Sequence, residues 1–198
     1  EYGENGFGVG SAFIFQAVVM LVFNTMLLKE NFENGTFSVA VFGVIYTMST
    51  IPGAMFDGAG AAASTVISIL GGEKDWKGML AVYHDGLRIV AAAGMLMALF
   101  FAAGAKNILV FFGLNDGQAL ETATVAFRIY ALSVALAGVH VVTTSFWQTI
   151  GQTRYASGFS VLRHFILMLV AGILLIEKQG IVGLALVYVI REGSSLLL

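Results

Sequence analysis

The stretch Ala123–His164, ATVAFRIYALSVALAGVHVVTTSFWQTIGQTRYASGFSVLRH, reads as a membrane span, a tight loop and the entrance to a second span. From Ile129 to Gln152 it holds no Asp, Glu, Lys or Arg. At ~1.5 Å per residue, that length crosses a hydrocarbon core ~30 Å thick. Turned at about 100° per residue, Ser133, Ala137, His140, Thr144, Gln148 and Gly151 fall within an arc of roughly 80°, while the other faces carry mostly Val, Leu, Ile and Phe. A polar strip of that kind is costly against lipid, so it faces a protein interior or a wet cavity. Gly151-Gln152-Thr153-Arg154 then breaks the helix, and Arg163-His164 opens the next span.

The rest of the chain has the same character. Of its 198 residues, 58% are hydrophobic and 11% charged, against about 25% charged in soluble domains. The lipid bilayer is therefore the expected surroundings. A net charge of -2 leaves no basic footprint for nucleic acid. The absence of cysteine excludes disulfides and thiolate metal sites, and no cofactor is expected. Apolar runs place spans at approximately 7–28, 37–70, 79–105, 129–152, 160–176 and 181–198. The expected fold is all-α: a polytopic membrane protein whose residues 1–198 form a single six-transmembrane-helix bundle. Beginning at Glu1 and stopping in Leu196-Leu197-Leu198, the sequence reads as a piece of a longer chain.

Polar groups inside the spans are the candidate functional residues. Gln16 and Asn24 lie about 80° apart on the first span, placed either for hydrogen bonds between helices or for substrate contact. The second span exceeds the bilayer, and Pro52 is its natural kink. Along it Tyr46, Thr50, Gly53, Asp57, Ala61, Ser64 and Ser68 make one stripe, and Gly53, Gly58, Gly60 and Ala61–Ala63 would let a neighbouring helix approach closely. An aspartate at mid-span costs ~2.5–3.5 kcal/mol on insertion scales. Asp57 is accordingly either a proton or cation site or a carboxylate at the wet end of a bent helix. His140 is a second proton candidate, or else a neutral ring hydrogen-bonded to a neighbouring helix.

Ile108–Leu114 is too short to span and is expected at the interface. Arg163 is read as a headgroup-level anchor in preference to a gating residue. If the last span continues beyond Leu198, Arg191-Glu192 sits near mid-membrane, sharing a face with Tyr188 and Ser195. That pair either neutralises itself or meets Asp57.

The runs FRIYALSVALAGVHVV (127–142), SFWQTIGQTR (145–154) and SVLRH (160–164) resemble the tenth helix, the glutamine-isoleucine-glycine turn and the arginine opening the eleventh helix of multidrug and toxic compound extrusion (MATE) transporters. STVISILGGEKDWKGML, Ser64–Leu80, is similar to that family's glycine-rich turn after the eighth helix. The resemblance implies the C-terminal lobe of a two-lobe, twelve-helix transporter of the plasma (inner) membrane. It also implies drug export driven by inward proton or sodium flow, and an N-terminal six-helix lobe as partner. Alternating access about a midplane site is the expected mechanism.

On that reading Asp57 and His140 are the candidate ion or proton site. Gln16, Asn24, Tyr46, Thr144 and Gln148 are candidate cavity lining for hydrophobic or cationic small molecules, and Arg191 and Glu192 a candidate intramembrane charge pair. The resembling family departs from this chain at one point. Pumps similar to the norfloxacin-resistance branch carry an aspartate in the tenth helix and a glutamate in the seventh, and the corresponding spans here carry neither. In other branches the coupling acid belongs to the N-terminal lobe.

Two other readings stay open. One is a lipid-linked oligosaccharide flippase, which wants several cationic side chains in its cavity where only Arg191 lies deep in a span. The other is a non-transporting scaffold subunit. An intramembrane enzyme finds no support, as HExxH, GxSxG and paired aspartates on facing helices are all lacking. With the N-terminus cytoplasmic, Lys74, Lys77, Arg88, Arg154 and Arg163 lie inside, against Lys29, Lys106, Arg128 and Lys178 outside.

Overall fold

Gly138 shows how the bundle is assembled around the span identified above. In the computed structural model, which describes residues 2–29, 35–115 and 117–194 with side chains from Ile14 onward, the chain forms six α-helical stretches. These are α1 (Tyr2–Leu27), α2 (Gly35–Gly72), α3 (Trp76–Phe111), α4 (Gly117–Thr149), α5 (Thr153–Val161) and α6 (Met168–Gly193), with a π-helical segment, Leu162–Leu167, between the last two. A methyl at Gly138 of α4 would lie 2.6 Å from Val90 Cβ on α3 and 3.0 Å from Phe56 Cδ1 on α2. Reciprocally, Gly94 of α3 sits against the backbone of Val134 and Ala135. Small residues let these three helices meet at backbone distance, the packing that membrane helices use where lipid offers no hydrophobic drive.

Helix α4 is the hub, packing against α2, α3, α5 and α6. Half of its apolar window is buried, against a third or less for the other long helices. The outward faces of the other helices present apolar side chains such as Leu96, Phe100 and Leu174, fully in keeping with a lipid-facing surface. We predict that Gly138→Ala destabilises the full-length protein by ~1–3 kcal/mol through overpacking. Adding Val90→Ala should recover much of the loss in a double-mutant cycle read by denaturant unfolding in detergent. Additive losses would mean that the two residues do not meet.

Several expectations need correcting. Among the described residues, four helical stretches are long and apolar enough to cross a membrane, and α1 adds a shorter apolar stretch, Ile14–Leu27. The expected fifth and sixth spans run together from Thr153 to Gly193, and residues 195–198, including Ser195, lie outside the described residues. Within that run Gly180 adopts φ 55, ψ -128, a non-helical conformation, open in practice to glycine alone. A methyl on Gly183 would overlap the Leu175 carbonyl. Residues eight apart in a straight helix are separated by ~12 Å, so the chain folds back at Gly180.

Helix α3 continues to Phe111 and absorbs most of the segment expected at the interface, since nothing breaks the helix before Gly113 at φ 85. Helix α2 is continuous through Pro52. Of its glycines, Gly60 meets Val141 and Ser145 of α4, while Gly53 and Gly58 face open space. Gly151, at φ 83, ends α4 as its sequence requires.

Candidate functional site

The polar faces of α1, α2, α4 and the Thr153–Gly193 run converge on one cavity of about 510 Å³. Eight of the nine residues singled out from sequence border it: Gln16, Tyr46, Asp57, His140, Thr144, Gln148, Arg191 and Glu192. Asn24, half-buried, is not on its wall. Helical spacing aims these groups inward because each polar stripe is the one face of its helix that lipid would penalise.

On the α1–α2 side Gln16 Nε2 donates to the Tyr46 hydroxyl at 3.3 Å, tying the two helices together. Asp57 is exposed to the cavity and makes no ion pair among the described residues. It therefore does not meet Arg191-Glu192. Thr144 turns its hydroxyl onto its own helix, donating to the His140 carbonyl at 2.8 Å. Gln148 is exposed toward the end of α4.

The opposite wall holds the charge. Glu192 is fully buried and is gripped from two sides: Arg163 donates from Nη2 to Oε2, and Arg191 donates from Nε to Oε1 at 2.8 Å. The Arg191 guanidinium also lies over the Tyr188 ring, 4.7 Å from its centroid, a cation–π contact that favours a desolvated cation. Two guanidiniums against one carboxylate leave the triad with one uncompensated positive charge.

His164 sits beside it. Its Nε2 is 2.7 Å from Arg163 Nη1 and its Nδ1 3.0 Å from the Ser160 carbonyl. The His164 ring in turn meets the His140 ring edge-on at 5.4 Å between centroids. Both Arg163 and His164 lie in the π-helical turn, a distortion that recurs at functional sites.

Arg163 and His164 are the site residues that sequence reasoning missed. Arg163, which the sequence places at headgroup level or at a gate, is 3% exposed inside the bundle. The signal was available in the hairpin: Arg163 lies 17 residues before Gly180 and Glu192 lies 12 after it, so folding at that glycine brings them to similar depth. Burial also removes Arg163 from the loop charge count, which becomes four against four and favours neither orientation.

Such a bundle, with apolar exterior, backbone-close helix crossings and a charged internal cavity, has the architecture of a multi-pass membrane protein. Residues 10–174 match the sequence pattern of the family described as MatE, and the chain belongs to that family. No curated protein matches it. Among solved structures, an outward-facing multidrug resistance MATE family transporter of the MOP superfamily superposes with a TM-score of 0.82 at 17% identity, covering 97% of this chain and 42% of that one. A MOP superfamily transporter from Pyrococcus furiosus, described as having a binding pocket of reverse polarity that suggests a different function, gives 0.80 at 16% identity, covering 97% and 44%. A MATE in complex with MaD3S gives 0.78 at 17%, covering 96% and 43%. The chain thus spans less than half the length of these transporters, the share of a single lobe.

Proposed function

We propose that this chain is the C-terminal lobe of a cation-coupled, alternating-access exporter of hydrophobic or cationic small molecules, working against an N-terminal six-helix lobe in the plasma (inner) membrane. The observation that carries this reading is the convergence of polar stripes from separate helices on one cavity in which Asp57 stands exposed and without an ion pair among the described residues. An uncompensated carboxylate there attracts either a proton, a sodium ion or an organic cation. Binding of the coupling ion biases one facing state only if its affinity differs between the two states, and movement of the opposing lobe changes the solvation of Asp57.

In cells expressing the full-length protein, accumulation of a cationic dye should fall. Asp57→Asn should return it most of the way to the empty-vector level while leaving expression unchanged. Equal dye accumulation with wild type and empty vector would end the drug-export reading. The flippase alternative gains from one observation: Arg163 joins Arg191 on the cavity wall, giving two deep cations where the sequence offered one.

A further inference from the structure

Two buried polar atoms of cavity-lining residues, His140 Nδ1 and Arg163 Nε, lack hydrogen-bond partners among the described residues. Both side chains are nearly sealed from solvent, at 4% and 3% exposure. An unmade hydrogen bond in such a place is expensive, ~1–3 kcal/mol for a neutral group and more for a charged one. Natural structures leave few of them without a reason.

The two side chains meet a single imidazole. His164 touches Arg163 Nη1 through its Nε2 and stacks edge-on with His140. Both oxygens of the nearby carboxylate are already engaged, Glu192 Oε2 by Arg163 and Oε1 by Arg191. The charges that face this corner are Arg163 from the π-helical turn and Arg191 and Glu192 from α6, so the corner carries an excess of one positive charge.

A guanidinium Nε–H can only donate. His140 Nδ1 donates in its N–H tautomer, and it has no partner among the described residues. A corner that offers two donors and a net positive charge, and that borders a cavity large enough for a small molecule, fits an acceptor that is also an anion.

We propose that His140 and Arg163 form an oxyanion subsite that receives the carboxylate or phosphate group of a transported amphiphile. This rests on the carrier reading and deepens it, since the cavity then takes opposite charges at its two walls: a cation at Asp57 and an oxyanion at the arginine wall. An ordered water satisfies the donors but not the charge. A monoanion satisfies both.

The test uses the purified full-length transporter in phosphatidylcholine nanodiscs, titrated with benzoate, phenyl phosphate and the neutral isostere benzamide. Benzoate and phenyl phosphate should bind, and benzamide at least tenfold more weakly. His140→Leu, which removes an open donor without touching the triad, should weaken benzoate about tenfold. Arg163→Lys keeps the charge for Glu192 but loses the Nε donor, and should do the same if it folds.

Adding phosphatidylglycerol to the discs separates the two sources of such a group. Competition assigns the subsite to a lipid headgroup, and its absence to a soluble substrate. The proposal is overturned if benzamide binds as well as benzoate, or if His140→Leu changes nothing. The carrier reading is scored separately by cationic-dye export. Export without benzoate binding removes the subsite alone, whereas binding without export removes the carrier and leaves the subsite.

Discussion

Glu192→Gln is expected to destabilise the full-length protein by ~3–5 kcal/mol, the scale seen when one partner of a buried ion pair is removed. The carboxylate is fully buried and holds both Arg163 and Arg191. Its loss leaves two guanidiniums without a carboxylate, Arg163 buried at 3% exposure and Arg191 part-buried on the cavity wall. The larger part of the effect is this stranding, not the net worth of the pairs. Desolvating three ions costs as much as their attraction returns, so replacing all three residues with methionine should restore stability close to wild type. Denaturant unfolding in detergent distinguishes the two variants, and dye export adds what stability cannot. If the triple variant is stable and still exports, the triad is a structural clasp. If it is stable and inactive, the charges belong to transport. Wild-type stability in Glu192→Gln would show that the pairs do not form.

How far the sequence exposes this arrangement depends on what each signal measures. Burial of the α4 face was legible because Ser133, His140 and Thr144 recur at helical spacing in a charge-free run, and lipid penalises polar groups wherever the run lies. All three are buried. The place of Asp57 on a cavity wall followed from the same rule. That it stands apart from Arg191-Glu192 did not, because helical periodicity gives an angle about one axis and says nothing of which helix stands opposite. Arg163 was misjudged for a related reason. Two residues inside an apolar run look like the mouth of a span until the preceding nine, Thr153–Val161, are known to be helical too, and α5 has weak apolar content of its own. Asn24 shows the converse: a polar residue within reach of the right face by rotation, yet off the cavity wall. The MATE resemblance, by contrast, rests on local motifs in the loops and helix ends, and these survive without any knowledge of packing.

Gly183→Ala is the second change expected to be severe, with a loss beyond ~3 kcal/mol, above the ordinary range for overpacking. The added methyl would overlap the Leu175 carbonyl, and backbone cannot rotate aside as a side chain can. Gly172→Ala meets the Phe23 ring instead, so its cost should be smaller and should fall when Phe23→Leu is added. Gly193→Ala has no neighbour within 4 Å and should be neutral or slightly stabilising through the helix preference of alanine. Gly180→Ala should cost ~1–3 kcal/mol, because φ 55 with ψ -128 is a conformation that other residues populate rarely. Unfolding in detergent ranks the four, and hydrogen exchange across Thr153–Gly193 locates the damage. Should Gly183→Ala prove as harmless as Gly193→Ala, the two arms do not touch and the run would be one straight helix. Its 41 residues would then extend ~60 Å, about twice the hydrocarbon thickness. Arg163 and Glu192 would be far out of reach of each other, and the charged wall of the cavity would not exist. The fold-back at Gly180 is therefore the step on which both the span arrangement and the site chemistry depend.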